Sequence, residues 1–256
     1  MNKSLILLLS FVFTLSGCSL FSGDKEARVL VANGISSKAL YELAEEKINA
    51  GSIGQGINQY KTILESYPGS KYAIQARLDI AYNLFKQKKY NLSLLELNKF
   101  IIKYPNLPSS PYAYYLKGVV AEAKSSSMLD KFVTDSAQRD VESIRDAYSY
   151  YLDLINTFPN SNYSEDAGKK LLGLRNTLAR HEFYIALYYT GIESHIAAIN
   201  RSKFIIENYP NSISIPDSLH LMAYNYEEIN AKQLASDARK ILSSSYPDYS
   251  PNYSIK

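Results

Sequence analysis

The chain has 256 residues, of which 46% are hydrophobic and 21% charged, a globular composition that argues against a disordered chain and leaves length for a large core or a row of small units. Its net charge of +3 is too weak to point to nucleic acid. Past residue 20, no stretch stays apolar for the ~18 residues a membrane-spanning helix needs.

Residues 1–17 read as a secretory signal. Asn2 and Lys3 give a polar, positive start, Leu5 to Leu15 is almost purely apolar, and small residues follow in Leu15-Ser16-Gly17-Cys18. That last run resembles the bacterial lipobox, and the resemblance implies that Cys18 carries a diacylglycerol and an N-acyl chain and becomes the first mature residue. Cys18 is the only cysteine, so the mature domain is expected to have no disulfide and to rely on packing. Acyl chains at Cys18 would anchor it to a membrane surface. Residue 19 is Ser rather than Asp, which by resemblance to Gram-negative lipoproteins implies sorting to the outer membrane. Residues 18–36 read as a lipidated tether, and 37–256 as a repeat domain.

The repeat is marked by an aromatic-Pro-polar run written five times: "ESYPGS", "IKYPNL", "NTFPNS", "ENYPNS" and "SSYPDY". The prolines are Pro68, Pro105, Pro159, Pro210 and Pro247, spaced 37, 54, 51 and 37 residues apart. Twelve residues before each stand Gly56, Ser93, Ala147, Ala198 and Ala235. Twenty-four before stand Ala44, Ala81, Ala186 and Ala223; the third repeat has Asp135 there, and placing its 17 extra residues inside the repeat moves the position to Gly118. Small residues let antiparallel helices approach closely, and a proline ends the second helix of each pair because it cannot continue it. The polar residues that follow can cap the next helix.

The spacing predicts helices over 37–50, 53–66, 71–87, 91–103, 111–124, 140–157, 164–189, 194–208, 216–229 and 231–244, with an insertion at 125–139 and a lengthened first helix in the fourth repeat. It resembles the tetratricopeptide repeat. The expected fold is therefore all-α, a right-handed solenoid of about five tetratricopeptide-like helix pairs.

Catalytic signatures are missing. His181, His195 and His220 form no metal-ligand pair, and "HEFYI" has Ile185 where a zinc-protease motif needs its second His. "GSIGQG" at 51–56 sits at a helix–helix turn rather than after a strand. His181 beside Glu182 reads as a polar pair rather than an acid–base couple. No cofactor is expected apart from the lipid on Cys18. The 23 tyrosines read mainly as packing, with a few available to a recognition face.

A lipobox followed by five such repeats, the third interrupted, is similar to the BamD family, the lipoproteins of the outer-membrane β-barrel assembly machinery. The most specific stretch is 139–211, with Arg139, Asp140, Arg145 and Ala147, the "FPNSNYSEDA" run from Phe158 to Ala167, then Leu178, Ala179, Glu182, Tyr188, Tyr189, Gly191, Asn200 and Arg201. It departs from the family pattern at Val141, where Pro is usual, and at Thr190, where Arg is usual.

The resemblance implies a non-enzymatic scaffold and receptor, lipid-anchored on the periplasmic face of the outer membrane. It would bind BamA through the periplasmic POTRA domains, chiefly with its C-terminal repeats, and would meet other assembly-machinery lipoproteins. Its N-terminal repeats would receive unfolded outer-membrane proteins. Asn200 and Arg201 are the positions it links to BamA; read from the residues alone, Arg201 is a solvated charge. A second reading is a different periplasmic repeat lipoprotein that coordinates cell-envelope or peptidoglycan assembly, which would lack the 139–211 block. A repeat-containing cell-wall hydrolase would need a further catalytic domain, for which no residues remain.

Overall fold

The computed structural model describes residues 22–125 and 141–255. Among them are eleven helices: α1 (Ser22–Ala32), α2 (Ser37–Asn49), α3 (Ile53–Ser66), α4 (Lys71–Lys86), α5 (Tyr90–Lys103), α6 (Ser110–Ser125), α7 (Val141–Thr157), α8 (Asn162–Gly191), α9 (His195–Asn208), α10 (Ile215–Glu228) and α11 (Lys232–Ser245). No strand occurs among the described residues. This is the predicted all-α, helical-repeat fold, with boundaries within about two residues of those read from the proline spacing. Cys18, the 1–17 segment and nearly all of the 125–139 insertion lie outside the described residues.

The five aromatic-Pro runs do one job each time. The aromatic residue follows the last helical turn, and its N–H donates to the carbonyl four residues back: Tyr67 to Ile63, Tyr104 to Phe100, Phe158 to Leu154, Tyr209 to Ile205 and Tyr246 to Leu242. Where measured, this residue has φ between −137° and −126°, the extended range that a following proline imposes. In the first three runs a serine then closes the corner. Ser70 and Ser161 accept from N–H groups at the start of α4 and α8, while Ser110 and Ser164 donate to the carbonyls of Tyr104 and Phe158 at 2.6 Å.

The other recurring corner joins the two helices within a repeat. Gly51, Lys88, Glu193 and Asn230 each lie seventeen residues before their repeat's proline, and all four have φ between 59° and 83°. A left-handed residue ends each first helix and reverses the chain.

The chain divides into two compact bodies, residues 1–87 and 88–256. In the first, α2, α3 and α4 pack in sequence and α1 packs on α3. Ala27, Leu40, Ala44, Ile57, Tyr60, Ile63, Ala73, Ala76 and Ile80 form its core. The 18–36 segment is thus more than a tether: Ser22–Ala32 is helical, with Ala27 fully buried. The pattern Ala27, Leu30, Val31 sets its apolar face at helical spacing against that core.

In the second body each helix from α5 to α11 packs on the next. The positions twelve and twenty-four before the prolines are buried in every repeat of both bodies. A methyl group built on Gly118 would fall 2.3 Å from the Tyr151 ring, and one on Gly56 would fall 2.8 Å from the Ala44 carbonyl oxygen. Any side chain at either position would force its neighbours to shift, so glycine suits both. The fourth repeat's extra residues extend α8 to 30 residues, about 45 Å at 1.5 Å per residue. Its first half packs in the cluster around Ala147, Tyr151 and Leu154. Its second half, with Leu178, Ala179, Phe183 and Ala186, joins the cluster that runs on to Leu242.

Candidate functional site

The second half of α8 carries Glu182 on the face turned toward α7 and α9. Leu178, Ala179, Phe183 and Ala186 on that half are all buried, and Glu182, within the same stripe, is drawn in with them. Its side chain is 5% exposed. A carboxylate in such a position is costly unless cations reach it. Two do. Arg201 of α9 donates from Nη1 to Glu182 Oε2 at 2.9 Å, and Arg145 of α7 brings Nη2 to 3.8 Å from Oε1. The guanidiniums remain open to solvent, with side chains 42% and 58% exposed. Tyr209, the aromatic residue before Pro210, completes the surroundings: burial, with the Glu182 charge adding to it, pushes its phenol pKa upward.

The result is a clasp of three helices with a buried anion at its centre and two cations at its rim. With Glu182, the two guanidiniums carry one net positive charge. Asn200, next to Arg201, points outward and is exposed. The site can hold an acidic or amide-bearing partner surface.

Of the residues singled out in the sequence, Arg145, Glu182 and Arg201 are brought together, and Asn200 lies at their edge. The reading of Arg201 as a freely solvated charge is corrected, because Glu182 holds it. The ion pairs of Glu182, read from the sequence only as a member of the 139–211 block, were not foreseen. Its true partners are 19 residues ahead and 37 behind, whereas neighbours on a helix point to different faces. Thr190, one of the two departures, is buried and has its own role. Its hydroxyl donates to Ala186 and accepts from Asn225 Nδ2 at 2.8 Å, and Asn225 Oδ1 meets His195 Nδ1 at 2.9 Å.

The tyrosine clusters are mostly half-buried. Tyr115 stacks on Tyr151 and Tyr163 with centroids 5.9 and 5.2 Å apart, and it donates to Asp166 at 2.6 Å. Burial, that hydrogen bond and the Asp166 charge push its pKa up to about 12. Tyr151 is fully buried and donates to Glu122, which also receives Lys170. Tyr188 is the clear exception, at 65% exposure. Among the described residues no group of His, Cys, Asp and Glu could hold a metal, and no helix is long and apolar enough to cross a membrane.

Known proteins match this sequence along its length. The family model YfiO, described as "Outer membrane lipoprotein", matches residues 34–241. "Outer membrane protein assembly factor BamD" of Neisseria gonorrhoeae is 31% identical over 247 residues, covering 96% of this chain and 92% of that one. The protein of the same name from Haemophilus influenzae is 34% identical over 241 residues, covering 94% of this chain and 89% of that one. Among solved structures, a thermophilic TPR protein of Thermus thermophilus covers 83% of this chain and 93% of its own at 13% identity and a TM-score of 0.36, too low for the overlap to carry weight. With the YfiO match spanning most of the sequence and these relatives aligned nearly end to end, the chain belongs to the BamD family of outer-membrane protein assembly factors.

Proposed function

We propose that this protein is a non-catalytic receptor and scaffold subunit that binds BamA and unfolded β-barrel proteins for insertion into the outer membrane. In this reading, lipid on Cys18 fixes it to the periplasmic face of that membrane. The contact with BamA runs through the POTRA domains and is centred on Asn200 and Arg201. The observation that carries the reading is the Arg145–Glu182–Arg201 clasp. It spends a buried carboxylate to hold two half-exposed guanidiniums in fixed places beside an exposed amide. A purely structural helix contact would be served as well by apolar side chains of similar size. Fixed, pre-oriented cations instead suit recognition of a polar partner, since little side-chain freedom is lost on binding.

The mechanism is one of binding alone. The membrane tether raises the local concentration of receptor next to the assembly site. The repeat helices offer a surface to extended chains, and the clasp couples three helices, α7, α8 and α9, so that a partner bound there is felt along the second body. Depletion of the protein tests the function: porin levels in the outer membrane should fall, and unchanged porins would refute it. A Cys18→Ser variant should leave the outer-membrane fraction; continued flotation with that membrane would refute the lipid anchor.

A further inference from the structure

Helix α1 fixes how far the protein can stand from its anchor. Read as a plain tether, residues 18–36 would let Ser37 of α2 lie up to about 65 Å from Cys18, at no more than ~3.6 Å per residue. The structure removes most of that reach. Ala27 of α1 is fully buried, and Leu30 and Val31 pack against the same core of the first body. The helix ends in a Schellman turn, in which Gly34, at φ 82°, donates its N–H to the Val31 carbonyl and Ile35 donates to that of Leu30. The hydroxyl of Tyr67, at the end of α3, donates to the Ile35 carbonyl. Arg28 lies 3.5 Å from Glu65 of α3.

Ser22, the first residue of α1, therefore belongs to the first body, and only Ser19, Leu20 and Phe21 separate it from Cys18. Cys18 to Ser22 spans at most about 14 Å of extended chain. Val29, 58% exposed on the outer side of α1, stands about 10 Å further along the helix. That outer side is not built to grip a membrane. An interfacial helix turns its apolar face to lipid, whereas α1 turns Ala27, Leu30 and Val31 into the protein. Its exposed Lys25 and Arg28 are matched by Glu26 and Glu65, so charge attraction to anionic lipid is weak. Nearness of α1 to a membrane must then come from the length of the link.

We propose that this short link holds the first body against the phospholipid surface, with the exposed side of α1 around Val29 within about 25 Å of the lipidated residue. The partner is the headgroup layer of the membrane, and the anchor sets position as well as attachment. The proposal rests on the reading of Cys18 as lipidated, which flotation tests by itself.

The test uses the full lipidated chain carrying Val29→Cys, with a fluorophore on that thiol, which is the one left free when Cys18 is acylated. The protein is reconstituted into phosphatidylethanolamine–phosphatidylglycerol vesicles that contain a headgroup-nitroxide lipid. With the natural link the label should be strongly quenched. A variant with about twenty Gly and Ser residues inserted between Phe21 and Ser22 gains a root-mean-square reach of about 25 Å, and its quenching should drop at least about twofold. Far-ultraviolet circular dichroism and flotation should stay unchanged. Flotation without quenching at the natural link, or equal quenching with and without the insert, would overturn the proposal. A natural-link protein that does not float would instead overturn the lipid anchor, and this proposal with it.

Discussion

Asp79 in the first body and Glu182 in the second are both acids drawn into helix packing, and they are held by different means. Asp79, half-buried on α4, receives a hydroxyl from Tyr41 and an amide from Gln75, at 2.5 and 3.1 Å. Burial, with Glu45 nearby, raises its pKa despite those hydrogen bonds. The same burial, with the Asp79 charge, pushes the phenols of Tyr41 and Tyr60 upward. Glu182 is buried more completely, and arginines rather than neutral donors approach it. Neutral donors suffice where an acid is half in water. The nearly enclosed Glu182 is met by cations instead, and cations at a rim become a surface feature. A binding site is therefore expected around Glu182 and not around Asp79.

Removing the cations should have the largest effect. An Arg145→Ala/Arg201→Ala variant leaves Glu182 enclosed without a counter-charge and should lose about 3–5 kcal/mol in chemical denaturation. The loss should shrink at acid pH, where the lone acid can take a proton. A milder change neutralises each acid in turn. Glu182→Gln keeps an acceptor for Arg201 but loses the charge and should cost about 1–2 kcal/mol. Asp79→Asn should lie within about 0.5 kcal/mol of the parent at pH 7, on the stabilising side, because burial already disfavours its charge. If the two substitutions cost the same, the distinction between the sites fails.

Acidity sharpens it further. The folded pKa of Asp79 is raised, so the folded state binds its proton more readily than the unfolded chain does. The cost of keeping it charged is present at neutral pH and is relieved as pH falls through the folded pKa. The benefit of Asp79→Asn should therefore be measurable at pH 7 and vanish on acidification. His220 runs the opposite way. Burial lowers its pKa, so its contribution is present above the unfolded value near 6.5 and is lost below it. His220→Gln should flatten the fall in melting temperature between pH 7 and pH 5.

An effect of similar small size concerns the turns. The first body places Gly51 at its left-handed corner, whereas the second places Lys88 and Glu193 at the same offset. Lys88→Gly and Glu193→Gly should each gain about 0.5–1 kcal/mol, strain relieved less the entropy of glycine.

These corners also mark what could be read from the sequence. The proline spacing located the helices because a proline acts locally and shows itself in one letter. The small residues followed at fixed distance, and even the shifted position in the third repeat fell on Gly118, which the Tyr151 ring requires. The left-handed corners were hidden because two of the four are Lys and Glu, residues with no composition signal for that conformation; tertiary packing imposes it. Helix α1 was hidden because eleven residues with a few apolar positions look like a tether until a core is there to receive them. Arg145, Glu182 and Arg201 were visible only as members of a family-like block. Their meeting depends on how α7, α8 and α9 pack, and no spacing along the chain encodes it. His181, adjacent to Glu182, was the misleading neighbour.

The central claim, that the rim of the Glu182 clasp is the contact with BamA, can be tested without disturbing the clasp, because Asn200 is exposed. A photo-crosslinking amino acid placed at position 200, with one at the exposed Lys61 of α3 as control, should give a BamA adduct from 200 and little from 61. A folded, lipid-anchored protein that crosslinks BamA equally from both positions, or from neither, would contradict the account.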